Sequence, residues 1–408
     1  MNVASLEWVL GLLVVSAAFF LLKDVRQRQV CFAVLSFLFL VTQALNIPAW
    51  TLLVVFLATG FTAGNALARR PSTALLTCYL GALVMTFVII KKYSFLDGIL
   101  PPRVLQHQVV LVGLSYMLFR QIHFVVDAQQ GQIEKVSLWT YLNYQLNLFG
   151  LQAGPIQRYQ DFAESWQELT PVLVGREAIL RAYLRLFWGV IKVLGLAAAC
   201  WWGYTKVLSA YLTASEGWQV SAEFLLILYL FPAYLYFNFS GYCDIVIAGA
   251  SLVGLRMPEN FSDPFLSRNI AELWTRWHRT LGLWIRDYLF TPLFKTFAER
   301  WPRASKPLSF VAYLVAFTLA GIWHGSTWNF LVFGLLNGLG VVAAKVWEAY
   351  LLKKRGRAGL RQYLHSPRIA LAARVATIHY FCLTLIFWSN DVAASIGILK
   401  RLPDALVH

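Results

Sequence analysis

The stretch LSFVAYLVAFTLAGIWHG, residues 308–325, decides how the rest of the chain is read. From 308 to 323 it holds no charged residue, and it comes close to the ~20 helical residues that cross a bilayer core. A helix that is apolar all round has no face to turn toward water, so it belongs in lipid or in a large core. The stretch then reaches His324, set between Trp323 and Gly325. An imidazole exchanges protons near neutral pH and is costly to keep at the edge of an apolar span, which makes it a functional candidate. The structural alternative is a helix-end histidine bonded to a backbone carbonyl.

The whole chain has the same character. Of its 408 residues, 59% are hydrophobic and 13% charged, against roughly 25% charged in a soluble domain. Mean hydropathy is +0.59. These values predict a polytopic membrane protein. A formal charge of +15 would suggest nucleic acid in a soluble chain. Here the cations punctuate apolar runs, so topology and lipid headgroups explain them, and nucleic acid is not an expected partner. Cys31, Cys78, Cys200, Cys243 and Cys382 stand singly in mostly apolar surroundings, which predicts buried small hydrophobes, no disulfide framework and no metal site. Residues 1–7 lack the basic region of a cleavable signal peptide, so the first apolar run is expected to remain as an anchor.

Apolar runs recur at 6–22, 31–45, 50–67, 74–90, 109–126, 138–151, 178–202, 224–239, 245–255, 308–323, 330–346 and 369–388. Several fall short of a full span, so some are expected to be tilted, kinked or re-entrant. Lys23, Arg26 and Arg28 place the first loop in the cytoplasm and the N-terminus outside. Residues 46–48 then make an external turn and Arg69 and Arg70 return to the cytoplasm, while Lys91 and Lys92 break the pattern. No internal repeat or heptad seam is visible. One membrane domain over 1–408 is the expectation.

Residues 256–306 differ from the rest. They hold Arg256, Glu259, Asp263, Arg268, Glu272, Arg276, His278, Arg279, Arg286, Asp287 and Lys295, with Pro258, Pro264 and Pro292. Such polarity cannot face lipid. The segment reads as a cytoplasmic loop entering an amphipathic or re-entrant helix over about 269–290. Helical spacing puts Trp274, His278, Leu281 and Ile285 on one face and Arg279 and Arg286 on another.

His278 repeats the setting of His324, within Glu-Leu-Trp-Thr-Arg-Trp-His at 272–278. Near His324, Gly321 and Gly325 allow close approach of backbone or substrate, and Trp323 and Trp328 can wall off water. Such an imidazole can take the proton of a hydroxyl as its oxygen attacks a carbonyl. His123 and His379 fall in apolar stretches and read as core residues. The other chemistries have no motif: there is no H-E-x-x-H, no G-x-S-x-G and no Walker sequence, and Leu283 stands where a His-x-x-x-x-Asp acyltransferase needs its carboxylate. A transporter suits intramembrane polar groups, yet no pair of repeats supports one.

An ordered set of motifs resembles the membrane-bound O-acyltransferase family. It comprises Gly113-Leu-Ser-Tyr116 with Phe119 and Asp127, Ala153-Gly-Pro-Ile-Gln-Arg158 and Asn238-Phe-Ser-Gly-Tyr-Cys-Asp244. It continues with Pro258-Glu-Asn-Phe261, Trp274-Thr-Arg-Trp-His278, Trp284-Ile-Arg-Asp-Tyr288 and Trp323-His-Gly325. The match covers about 110–345 and is nearest the bacterial branch of alginate O-acetylation and teichoic acid D-alanyl transfer proteins. The resemblance implies an all-α membrane protein of about 11 transmembrane helices, with re-entrant or amphipathic helices, in a ring around a central tunnel. It implies His324 and His278 as the catalytic pair, with His324 the general base and His278 positioning the thioester or donating to charge on its carbonyl oxygen. Trp323, Trp328, Asn238, Tyr242, Asp244 and Trp274 would line the tunnel, although Asp244 reads equally well as a helix-packing partner to an arginine. Arg276, Arg279, Arg286 and Lys295 would dock the donor's phosphates or an acidic carrier.

The reaction this implies moves a short acyl group, acetyl in the first reading, from a cytoplasmic thioester toward an exported polysaccharide or cell-envelope glycan. The donor is acetyl-CoA or an acyl carrier protein acting as co-substrate, with no bound cofactor. The protein itself would be integral to the cytoplasmic (inner) membrane, with a polysaccharide or a periplasmic acyltransferase partner outside. After Arg-Asp-Tyr288 the chain reads Pro292-Leu-Phe-Lys-Thr, where many alginate-type proteins have Pro-Leu-Gly-Gly-Asn-Arg. D-alanyl transfer from a carrier protein therefore stands as the alternative. A lipid or glycan transporter, or a non-catalytic scaffold, is the alternative of another class.

Overall fold

The computed structural model describes residues 6–43, 46–94, 113–169, 176–214 and 217–407. The reading of residues 1–5 as the start of an uncleaved anchor, and the first residues of the 109–126 run, lie outside them. The described residues form helices and connecting loops with no strand among them, an all-α polytopic membrane protein. Among the described residues, seven helices are long and apolar enough to cross a membrane, with a shorter apolar helix at Val9–Leu21. The chain groups into two compact units, residues 1–194 with 239–259 and residues 195–238 with 260–408.

The first unit contains α1 (Leu6–Leu21), α2 (Val25–Val41), α3 (Ile47–Arg69), α4 (Thr73–Lys91), α5 (Leu114–Gln129), α6 (Leu138–Gln145), α7 (Leu148–Leu151), α8 (Tyr159–Glu168) and α9 (Arg176–Val190). Asp24, Asn46, Ser72 and Ser137 cap the starts of α2, α3, α4 and α6 by accepting a backbone N–H of the first turn, the usual way to satisfy donors that have no helical partner. The 138–151 run is not one span. Arg120 is buried and donates to the Tyr144 and Gln145 carbonyls at 2.9 and 3.0 Å, and Asn147 accepts from Phe149 N–H at 3.0 Å. These bonds satisfy the end of α6 and start α7, so the chain turns where apolarity alone predicts continuation. His123 sits in this polar interior as expected, 1% exposed. Its Nε2 accepts from Tyr159 N–H at 2.7 Å, and its Nδ1 lies 3.2 Å from Asp127.

The second unit starts in a π-helical turn, Ile191–Ala197, and continues with α10 (Ala198–Thr213) and α11 (Gly217–Leu252), whose C-terminal residues belong to the first unit. The separate runs at 224–239 and 245–255 are thus one helix, which lowers the number of spans. Next come α12 (Ile270–Arg276), α13 (Arg279–Ile285), α14 (Thr291–Arg300), α15 (Ser305–His324), α16 (Trp328–His365), α17 (Pro367–Ser389) and α18 (Val392–Val407). A buried cluster of Tyr204, Phe224, Phe231, Leu273, Trp277, Phe333, Phe381 and Leu385 forms its core. His379 is not a core residue: it is exposed, bonded to Tyr229 Oη at 2.5 Å. Among the cysteines, Cys243 and Cys382 are buried and Cys78 is exposed.

The helix expected over 269–290 is broken. Trp277 is extended, and His278 takes a left-handed conformation at φ 48 and ψ 49 before α13 begins. The break is held by the preceding loop: Ser262 N–H donates to the Arg276 carbonyl at 3.0 Å, and Arg279 N–H to the Asn260 carbonyl at 2.9 Å.

Glycine closes the α15–α16 hairpin that carries His324. A Cβ on Gly321 would lie 2.8 Å from the Gly334 Cα, and one on Gly325 would enter the Phe330 ring. Small residues let two membrane helices approach backbone to backbone. Gly321→Leu should therefore cost about 2 kcal/mol or more by overpacking, read as a lower melting temperature in detergent. An unchanged melting temperature would contradict the close approach.

Candidate active site

His324 ends α15 half-buried. Its ring stands edge-on to Trp323 at 4.5 Å and to Trp388 at 4.7 Å between centroids. A tryptophan beside it is thus Trp388, from the end of α17; Trp328, at the start of α16, is 54% exposed. Nothing in the local pattern around His324 singled out Trp388, because α17 brings it there from more than sixty residues away.

His278 is 3% exposed, and its ring centroid lies 6.4 Å from that of His324. Both rings line one cavity of about 1210 Å³ in the second unit. Trp274, Leu281 and Ile285 line it too, so the face expected from helical spacing survives the break. Arg279 and Arg286, expected on another face, line the same cavity. The carbonyl oxygen Oδ1 of Asn260 lies 3.1 Å from His278 Nδ1 and accepts Thr280 Oγ1–H at 2.9 Å and Thr280 N–H at 3.3 Å. Asn260 belonged to a quoted motif, yet its role was not legible there.

Trp274 donates through Nε1 to Asn337 Oδ1 at 3.2 Å, and Asn337 donates to the Phe333 carbonyl and to Thr384. Asn337 is fully buried and lines the cavity. Its signal was available, a lone amide inside the 330–346 run.

The cations divide by partner. Arg276 is paired with Glu272 at 2.9 Å and Arg286 with Asp287 at 2.7 Å. Both line the cavity with Arg279, whereas Lys295 is exposed on α14 and does not. Arg268, Lys345 and Arg374 also line it. Arg268 and Arg374 donate to the carbonyls of Leu364 and Leu266, which leaves their charge unneutralised by these bonds.

Of the other expected tunnel residues, Asn238 is half-buried and Trp323 adjoins His324, but neither is on this cavity's wall. Tyr242 and Asp244 belong to the first unit. There Tyr242 Oη accepts Ala153 N–H at 3.2 Å. Asp244 takes Arg185 at 2.9 Å and Lys192 at 2.7 Å, and Arg185 also pairs with Glu259 at 2.6 Å. Asp244 is thus paired with an arginine, as its sequence context suggested. Among the described residues, no group of three His, Cys, Asp or Glu could hold a metal ion.

The fold is thus that of an α-helical membrane protein in which two histidines line one cavity. Residues 104–355, more than half of the chain, match the membrane-bound O-acyltransferase family, and the chain belongs to it. The chain is 28% identical to the teichoic acid D-alanyltransferase of Streptococcus thermophilus over 295 residues, 68% of this chain and 66% of that protein. It is 26% identical to the teichoic acid D-alanyltransferase of Bacillus subtilis, over 76% of each chain. To the probable alginate O-acetylase AlgI of Azotobacter vinelandii it is 27% identical, over 58% of this chain and 45% of that one. The matched regions thus span from under half to about three quarters of these relatives' lengths.

Burial holds the His278 pKa down to about 3, because a charged imidazole loses its hydration there. The unfolded chain binds this proton below its ordinary value near 6.5, and the folded chain does not until about pH 3. Acidification through that window therefore destabilises the fold, by at most about 1.4 kcal/mol per pH unit for this one group. His278→Gln should flatten the acid side of a melting-temperature profile between pH 6.5 and 4. An equally steep profile would show that His278 is protonated in the fold.

Proposed function

We propose that the protein is an integral-membrane O-acyltransferase of the cytoplasmic membrane, acting over the whole chain as one domain. It moves a short acyl group, in the first instance acetyl, from a cytoplasmic thioester toward a hydroxyl of an exported polysaccharide or cell-envelope glycan. The observation that carries this reading is the pair of imidazoles 6.4 Å apart on one cavity wall, in a chain of this family.

The distribution of charge supports the direction of transfer. Arg300 and Arg303 just precede α15 and Lys306 lies in its first turn, while Lys353, Lys354 and Arg355 lie toward the end of α16. In an antiparallel hairpin these two basic groups share one end, which the positive-inside rule assigns to the cytoplasm. His324 sits at the other end, about 30 Å along a 20-residue helix. The cavity wall includes both His324 and Tyr363, beyond the basic stretch. A thioester arm entering among Arg268, Arg279 and Arg374 would travel toward the far leaflet. The same rule applied to Lys23, Arg26 and Arg28 puts the N-terminus outside.

The chemistry needs little beyond placement, since a thioester is already activated. His324 takes the proton of the acceptor hydroxyl as its oxygen bonds to the acyl carbon. The carbon–sulfur bond then breaks, and the departing thiolate recovers the proton from His324. His278 positions the reactants, and Trp274, Trp323 and Trp388 keep water from competing. A polysaccharide or a periplasmic acyltransferase receives the acyl group outside.

D-alanyl transfer from a carrier protein is the second reading. The alignment to the Bacillus subtilis D-alanyltransferase over three quarters of both chains favours it. Purified protein in liposomes separates the two: turnover of acetyl-CoA supports acetyl transfer, and turnover of D-alanyl carrier protein alone supports the other. His324→Ala should leave insertion intact and lower transfer by at least about 100-fold. Unchanged acylation of the glycan in cells carrying that variant would refute the role of His324 and favour a transporter or scaffold.

A further inference from the structure

A neutral imidazole carries one proton, and the nitrogen that holds it is decided by what the other edge of the ring meets. His278 meets Asn260, which is fully buried. The amide orientation of Asn260 is not free. The Thr280 backbone N–H lies 3.3 Å from one terminal atom of that amide, and a backbone N–H can only donate. An NH2 group in that place would set donor against donor, so the atom is the carbonyl oxygen. The same oxygen faces His278 Nδ1 at 3.1 Å. Two acceptors cannot bond each other, so Nδ1 must bear the hydrogen.

We propose that Asn260 is a positioning residue that locks His278 as the Nδ1–H tautomer, so that His278 meets substrate through Nε2 as a hydrogen-bond acceptor. The proposal rests on the reading of the two-histidine cavity as the acyl-transfer site. It narrows what His278 can do there. Its substrate partner is a donor other than the hydroxyl that gives its proton to His324: an amide N–H of the thioester arm, or a neighbouring hydroxyl of the acceptor. The thioester carbonyl oxygen is excluded, because Nε2 has no hydrogen to offer it. The backbone reinforces the lock: Asn260 C=O accepts Arg279 N–H at 2.9 Å, so residue 260 clamps both sides of His278. Burial keeps the ring neutral, as its depressed pKa reflects, which leaves a single tautomer to choose.

The test uses the full-length protein in lipid nanodiscs, labelled with ¹⁵N-histidine, the His278 signals being assigned by their loss in His278→Gln. The wild-type spectrum is expected to show a protonated Nδ1 and a bare Nε2, and a protonated Nε2 overturns the proposal without any variant having to fold. Asn260→Leu should release the tautomer and lower kcat by about 100-fold, with KM for the thioester changed less than about threefold. Asn260→Asp keeps the oxygen, so it should retain kcat within about tenfold and move the acid limb of its pH profile upward, since a carboxylate raises the ring's basicity. Equal losses in the Leu and Asp variants would reduce Asn260 to a staple of the helix break. Full transfer by His278→Gln would remove His278 from the reaction while leaving the spectrum to report its tautomer.

Discussion

A helix can break in buried surroundings only where each backbone group it releases finds a new partner. The site depends on such a break at Trp277–His278. The loop at 260–262 supplies the partners, accepting from Arg279 N–H and donating to the Arg276 carbonyl. With the backbone satisfied, His278 can hold its left-handed conformation, which a regular helix would forbid and which costs about 1–2 kcal/mol for a residue with a side chain. Arg279, which follows the break, lines the cavity with Trp274.

The hairpin that carries His324 solves a different problem. Two apolar helices in lipid gain nothing from burying apolar surface against each other, so close packing must hold them. Gly321, Gly334 and Gly338 remove the side chains that would keep α15 and α16 apart. Their contact sets the turn at 325–327, and with it the height of His324. Trp388 on α17 then fixes the ring from the other side.

Charge follows the rule that buried ions are paired. Asp244 takes Arg185 and Lys192 in the first unit, where Gly189 and Gly241 let their helices approach closely. Arg276 and Arg286 have carboxylates of their own beside the cavity. The cations left to meet an anionic donor therefore include, besides Arg279, two that proximity to His278 in the chain does not suggest. Arg268 and Arg374 stand far apart in sequence and reach the same cavity because α17 packs beside the loop at 264–268.

Apolar length and the rarity of charge were enough to read a helical membrane protein, and a histidine set among tryptophan and glycine was enough to mark both imidazoles. Local composition also separated 256–306 from the spans. What it could not supply were partners. The 138–151 run looks like lipid-facing helix until Arg120 reaches its carbonyls, and 269–290 looks like one amphipathic helix until Asn260 and Ser262 pair with its middle. The amino-acid order by itself determined which segments leave water and which side chains can move a proton, since hydropathy and acid–base character belong to single residues. Only the tertiary structure decided where helices stop, which cations stay unpaired and which edge of His278 is held, because those depend on groups brought together from distant parts of the chain.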